Sequence, residues 1–192
     1  MSYQYAVGSN PSGPAMIIVL RLGHRIERDK RTTTHVSLVA RAFLADEVII
    51  TGERDEHALE TVRKIAENWG GTFKTTYEKN WQPVVKRFKE KGFALVHLTM
   101  YGLPLPEVLA EIKKNANLLI IVGGEKVPSG IYKQADFNVS VTFQPHSEIA
   151  ALAVFLDRYR GNLEAYTKNF GGQLRIVPMK SGKKVISAGK SR

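Results

Sequence analysis

The sequence predicts an α/β fold in which a mostly parallel sheet carries helices on both faces. Three observations predict it. Six short apolar runs recur along the chain, and the segments between them place apolar residues at helical spacing. The chain has 192 residues, 43% of them hydrophobic, and a chain of this length buries roughly 70% of its unfolded surface around a core. It contains no cysteine, which excludes disulfides, thiolate metal sites and a Cys nucleophile, so packing alone must carry the fold.

Residues 1–15 include Gly8, Pro11, Gly13 and Pro14 and few apolar side chains. They read as a disordered leader or an added segment, with Met16 as a candidate start. The strand-like runs are 16–20, 47–51, 73–77, 93–98, 117–122 and 137–141, and six of them suggest one sheet. Between them, Ala58, Leu59, Val62, Ile65, Ala66 and Trp69 mark a helix stopped by Gly70 and Gly71. Trp81, Val84, Val85 and Phe88 repeat that spacing before Gly92, and Leu105, Val108, Leu109 and Ile112 do so after Pro104, with Pro106 in a favoured starting position. The helix over 146–160 is apolar on nearly every face, which predicts burial, with a partner as one surface to cover it. Leu174–Val177 and 184–186 read as a short hairpin or extended appendage within a basic terminal segment, 165–192.

The formal charge of +10 is concentrated in two places. Residues 21–41 hold six basic and two acidic side chains, and residues 165–192 hold seven basic side chains and no acid. Such clustering on an otherwise near-neutral chain points to a polyanion, RNA or DNA, because each Lys or Arg that neutralises a phosphate releases counterions. Neither segment interleaves its charges with a bulky apolar face, which argues against a membrane surface. No run approaches the ~18 apolar residues of a spanning helix, and the cytoplasm is the expected address.

In open α/β sheets ligands bind beyond the carboxyl ends of the strands. Three such segments combine turn-forming and polar residues: 99–104, 123–128 and 142–148. The dinucleotide pattern G-x-G-x-x-G is absent, a P-loop is absent, and no G-x-S-x-G surrounds Ser147, whose more ordinary role is to start a helix. The histidines at 24, 35, 57, 97 and 146 are dispersed, so no metal is expected.

These three segments, joined to the opening stretch 20–36 with its arginines and histidines, resemble the archaeal tRNA cytidine-56 2'-O-methyltransferases of the SPOUT superfamily. The most specific stretches are 97–102, 121–128 and 144–153, and the likeness runs from about residue 16 to 184. The resemblance implies a methyltransferase domain over 16–164 whose C-terminal part forms a trefoil knot, S-adenosylmethionine as cofactor, the T-loop of tRNA as substrate, and a homodimer packed through the helix at 146–160. Carried over position by position, it implies cofactor contacts at Leu98, Thr99, Gly102, Gly123, Gly124, Glu125, Val141, Pro145 and Ser147. Many relatives in the superfamily carry an Asn, an Arg and a Gly in their first motif where this chain has Thr32, Leu38 and Leu44. The candidate catalytic arginines are therefore Arg21, Arg25, Arg28, Arg31 and Arg41, with Arg31 and Arg41 favoured as flanking the first helix. His24 and His35 are the alternative proton acceptors. Two rival readings stand beside this one: another RNA methylation on the same scaffold, and an RNA-binding module without catalysis.

Overall fold

A computed structural model describes residues 16–124, 126–161 and 164–187. The leader at 1–15, the cofactor candidate Glu125 and the last five residues of the basic appendage lie outside the described residues. The six sequence-predicted runs form strands β1 (Met16–His24), β2 (Glu47–Gly52), β3 (Lys74–Glu78), β4 (Ala94–Pro104), β5 (Asn117–Val122) and β6 (Phe137–Ser140). They pair in a single all-parallel sheet of order β3-β2-β1-β5-β4-β6. The order reverses at β1/β5, the position in open α/β sheets where a ligand crevice is expected beyond the carboxyl ends of the strands.

Side chains alternate across the sheet, so each strand feeds two cores. Ile17, Val19, Val48, Val96, Leu118 and Ile120 pack on one face with residues from α1 (Ile26–Ala42), α2 (Glu56–Trp69), α4 (Leu105–Ile112) and α6 (Glu148–Arg160). Ile18, Leu20, Ile49, Leu95, Leu119 and Ile121 pack on the other with α3 (Trp81–Glu90) and α5 (Ser129–Gln134). Among the described residues no helix is long and apolar enough to cross a membrane, and no cluster of His, Asp and Glu could hold a metal ion.

One expectation needs correction. The first helix runs from Ile26 to Ala42, so Arg31 and Arg41 lie within it and do not flank it. The burial expected of the helix at 146–160 is seen in α6: Ala151, Leu152, Phe155, Leu156 and Tyr159 are buried in the shared core with Val36 and Ala40 of α1. Only a narrow outer face, with Ala150 and Val154, remains exposed.

The basic terminal segment begins within α7 (Glu164–Thr167) and contains an antiparallel hairpin of β7 (Leu174–Val177) and β8 (Lys184–Ser187). A glycine clasp joins it to the body. The Gly71 N–H donates to the Phe170 carbonyl at 2.8 Å, and Gly70 bridges to Gly171. A Cβ on Gly172 would collide with the backbone of Trp69 and Gly70. Gly70 has φ +78, so it both ends α2 and supplies the bare backbone on which the tail lies.

Candidate functional site

The three segments singled out by sequence leave three adjacent strands, β5, β4 and β6, at their carboxyl ends. The first is a bulge inside β4. Leu98 and Leu103 both register with Val139 of β6, so residues 99–102 loop out of the sheet. Gly102 sits against the β6 backbone so closely that a Cβ would meet the carbonyl carbon of Asn138 and the nitrogen of Val139. The second segment follows β5. A Cβ on Gly123 would press on Val127 at 2.6 Å, whereas one on Gly124 would make ordinary contacts, 3.8 Å from Glu148 Oε1 and 4.0 Å from Arg21 Nη2. The third ends at Ser147, whose Oγ accepts from the Ala150 N–H at 3.2 Å and caps α6. Its own hydrogen stays available to a ligand.

The remaining cofactor candidates fall on the same rim. Leu98 is buried in the core, so its backbone alone can face a ligand. Val141 packs against the core and Pro145 is exposed. Thr99 is half-buried and its Oγ1 lies 3.3 Å from the Tyr132 hydroxyl. Beneath it lies a polar chain that sequence reasoning missed. His97 is fully buried on β4 and its Nδ1 is 2.8 Å from Asn138 Oδ1. The Asn138 amide is oriented by its Nδ2 donation to the Tyr132 carbonyl at 2.9 Å, which leaves Oδ1 as acceptor and assigns the ring hydrogen to Nδ1. The His97 and Tyr132 rings meet edge to face at 4.7 Å. Burial pulls the His97 imidazole below its ordinary value, against the opposing hydrogen bond to Asn138.

Arg21 is the other surprise. It extends β1, in register with Val122 at the strand-order reversal, and is only 1% exposed. Its Nη1 donates to the Leu22 carbonyl at 2.7 Å, while Nη2 faces the Glu148 carboxylate at 3.2 Å and Asp29 at 3.9 Å. The Glu148 contact is an ion pair without hydrogen-bond alignment, and Nε is buried with no hydrogen-bond partner. Burial lowers the guanidinium from its ordinary value, against the pull of Glu148 and Asp29. An arginine between Leu20 and Leu22 in an apolar run was a visible signal, because a buried charge requires a partner.

The other arginines divide by position along α1. Arg25 and Arg28 stand at its start, about half-exposed beside Asp29, and Arg31 is exposed one turn on. Arg41 lies at the far end, about 24 Å from Arg25 along the helix at 1.5 Å per residue. There its Nη2 donates to the Gly70 carbonyl at 2.6 Å and its guanidinium covers the Phe170 ring at 5.0 Å. The terminal basic segment thus meets the far end of α1, away from the arginines at its start. A hollow of about 220 Å³ lies near that same far end, lined by Ala42, Phe43, Asp157, Arg160, Ala165 and Tyr166, and takes no part in the crevice. Of the histidines, His24 is buried with Nδ1 2.8 Å from Thr33 Oγ1 and Nε2 3.5 Å from Asp55 Oδ2, while His35 is exposed on α1.

The family model described as tRNA ribose 2'-O-methyltransferase, aTrm56, matches residues 69–186. The chain is 52% identical over 174 residues to a tRNA (cytidine(56)-2'-O)-methyltransferase of Methanothrix thermoacetophila, covering 90% of this chain and 98% of that protein. It is 51% identical over 172 residues to one of Methanosphaera stadtmanae, covering 89% and 98%. Among solved structures it resembles the SpoU methyltransferase AviRb of Streptomyces viridochromogenes in complex with AdoMet, with a TM-score of 0.57 and 14% identity over 78% of this chain and 58% of that one. At that identity the likeness concerns the fold alone.

Proposed function

The chain belongs to the family of archaeal tRNA ribose 2'-O-methyltransferases, and we propose that it transfers a methyl group from S-adenosylmethionine to the ribose 2'-hydroxyl of cytidine 56 in the T-loop of tRNA. Its fold is of the SPOUT type. The observation that carries the reading is the approach of the turn after β5 to the start of α6, where a Cβ on Gly124 would lie 3.8 Å from Glu148 Oε1, beside the strand whose bulge holds Gly102.

The residues there fit the cofactor. The bare backbone of Gly124 lets a ligand approach beside Glu148, and Thr99, the Ser147 hydroxyl and the backbone of the turns would supply hydrogen bonds for a nucleoside and an amino acid. Leu98, Thr99, Gly102, Gly123, Gly124, Val141, Pro145 and Ser147 would hold it, with Glu125 beside them in sequence. The cofactor supplies an activated methyl group, so no metal is required. What the chain itself must do is hold the ribose oxygen in line at near-attack distance, accept a proton and bind the surrounding phosphates.

Arg25, Arg28 and Arg31 are the arginines of this reading that reach the nucleic acid, on the part of α1 that borders the crevice. Arg41 closes the opposite end of α1 onto α2 and the tail. A proton acceptor at His24 fits poorly, since both ring nitrogens are directed at Thr33 and Asp55. The T-loop nucleotide must first leave its stack, at a cost of a few kcal/mol met by binding contacts.

Three further parts belong to the reading. The segment after β6, an edge strand, crosses to β1, where Glu148 meets Arg21 within reach of the β5 turn, and this route favours a trefoil knot. The narrow exposed face of α6, with Ala150 and Val154, favours a homodimer. The protein acts in the cytoplasm. Incubation with methyl-labelled S-adenosylmethionine and unmodified tRNA, followed by digestion to nucleosides, tests the central reading. Labelled 2'-O-methylcytidine is expected; label in a base or another ribose would replace the assigned substrate, and no label would favour a binding module.

A further inference from the structure

We propose that Glu148 is the proton acceptor of the transfer and that Arg21 holds its carboxylate in place; this rests on the ribose reading above. Glu148 opens α6 immediately after Ser147, so its side chain rises from the third turn of the crevice. One oxygen, Oε1, forms an ion pair with Arg21 Nη2 at 3.2 Å, and the side chain keeps 18% of its surface open. The same oxygen lies 3.8 Å from the position a Cβ would take on Gly124. A ligand resting on that bare glycine therefore lies against the carboxylate.

The arginine beneath it is a built support. Arg21 is 1% exposed, its Nη1 is tied to the Leu22 carbonyl at 2.7 Å, and its Nε and Nη2 have no aligned hydrogen-bond partner. A buried guanidinium so incompletely satisfied is costly, and β1 retains it at the point where the strand order reverses and a ligand is expected. The α6 N-terminus adds a favourable field for the negative charge. Asp29 lies 3.9 Å from the same guanidinium but is turned to Arg25, whose N–H it accepts at 3.2 Å, and to Arg28. Glu148 is thus the carboxylate left facing the turns.

The step balances. As the ribose oxygen gives an electron pair to the methyl carbon, the carbon–sulfur bond breaks and its pair returns to sulfur. The hydroxyl hydrogen grows strongly acidic as its oxygen becomes positive, and it passes to the Glu148 carboxylate. A carboxylate suffices for a proton released late in bond formation, and a positioned acceptor contributes about 10²- to 10⁴-fold.

The test uses the full chain with labelled S-adenosylmethionine and unmodified tRNA. Glu148→Gln keeps the shape but takes no proton. Its turnover is expected to fall by about 10²- to 10⁴-fold while calorimetric affinity for the methyl donor is unchanged, and formate is expected to revive Glu148→Gly. Turnover retained in Glu148→Gln, turnover lost together with donor binding, or Glu148→Gly indifferent to formate would each overturn the assignment. Wild-type protein that labels no ribose would instead overturn the reading beneath it, and the assignment with it.

Discussion

His97 Nδ1 donates to Asn138 Oδ1 at 2.8 Å, joining β4 to β6 directly beneath the bulge at 99–102. The ring is fully buried and its Nε2 has no partner, so protonation there would place a charge and an unmet donor in the core. This sets a sign for acid stability. The native imidazole titrates below the ordinary value of 6.5, so the unfolded chain binds the extra proton first. The contribution is complete above about pH 6.5 and is lost as pH falls through the native value. The urea midpoint should decline on acidification, and less steeply in His97→Gln. Identical profiles would remove His97 as the titrating group.

Asn138→Ala leaves the buried Nδ1–H of His97 and the Tyr132 carbonyl without their partner. A cost of about 1–3 kcal/mol is expected from one unsatisfied buried group. Urea unfolding measures it, and a change within a few tenths of a kcal/mol would show that water replaces the amide.

Gly102→Ala pushes a methyl group into the β6 backbone, which cannot retreat as a flexible side chain could. A loss of roughly 1–3 kcal/mol in stability and a marked loss of donor affinity are expected, because the strain falls on a crevice turn. Differential scanning and titration calorimetry check the two effects separately.

Arg25→Ala and Arg31→Ala should each weaken tRNA binding and lower its dependence on log salt by about 1, with donor affinity unchanged. Arg41→Ala should act differently. It loses the bond to the Gly70 carbonyl and the cover over Phe170, for about 1.5 kcal/mol of stability. Filter binding across a salt series, run beside thermal melts, separates the groups; an unchanged melt and a reduced salt slope for Arg41→Ala would reverse this division.

Gly172→Ala should release the tail from the end of α2, since the added carbon would sit inside the Trp69–Gly70 backbone. Faster limited tryptic cleavage near Arg175 and Lys180 with an otherwise intact core is the expected outcome. An unchanged digestion pattern would show that the clasp does not hold the hairpin.

Much of the fold was legible because apolar runs and helical spacing report burial directly. Each of the six runs became a strand, and Gly70-Gly71 does end a helix. The short α5 was not legible: six residues with Ile131 as their one buried side chain carry no period. The bulge in β4 was also hidden, since Leu98 and Leu103 sharing one partner is a matter of register between distant strands. At the site, the turns could be placed from the strand ends alone. Arg21 and Glu148 could not be paired, because 127 positions separate them and only the crossing of the chain from β6 to β1 brings them together. His97 gave no signal beyond being polar within an apolar run, and its neighbour Asn138 lies 41 residues away.

The central strand has a temporal consequence. Met16 on β1 is bonded to Asn117 on β5, 101 residues downstream. At translation speeds of about 5–20 residues per second, the ribosome needs roughly 5–20 s to deliver that neighbour. Throughout that interval one side of β1 stands unclaimed, with Ile17, Val19 and the Arg21 charge awaiting partners still to be synthesised. Nascent chains should therefore engage chaperones until β5 has emerged from the exit tunnel.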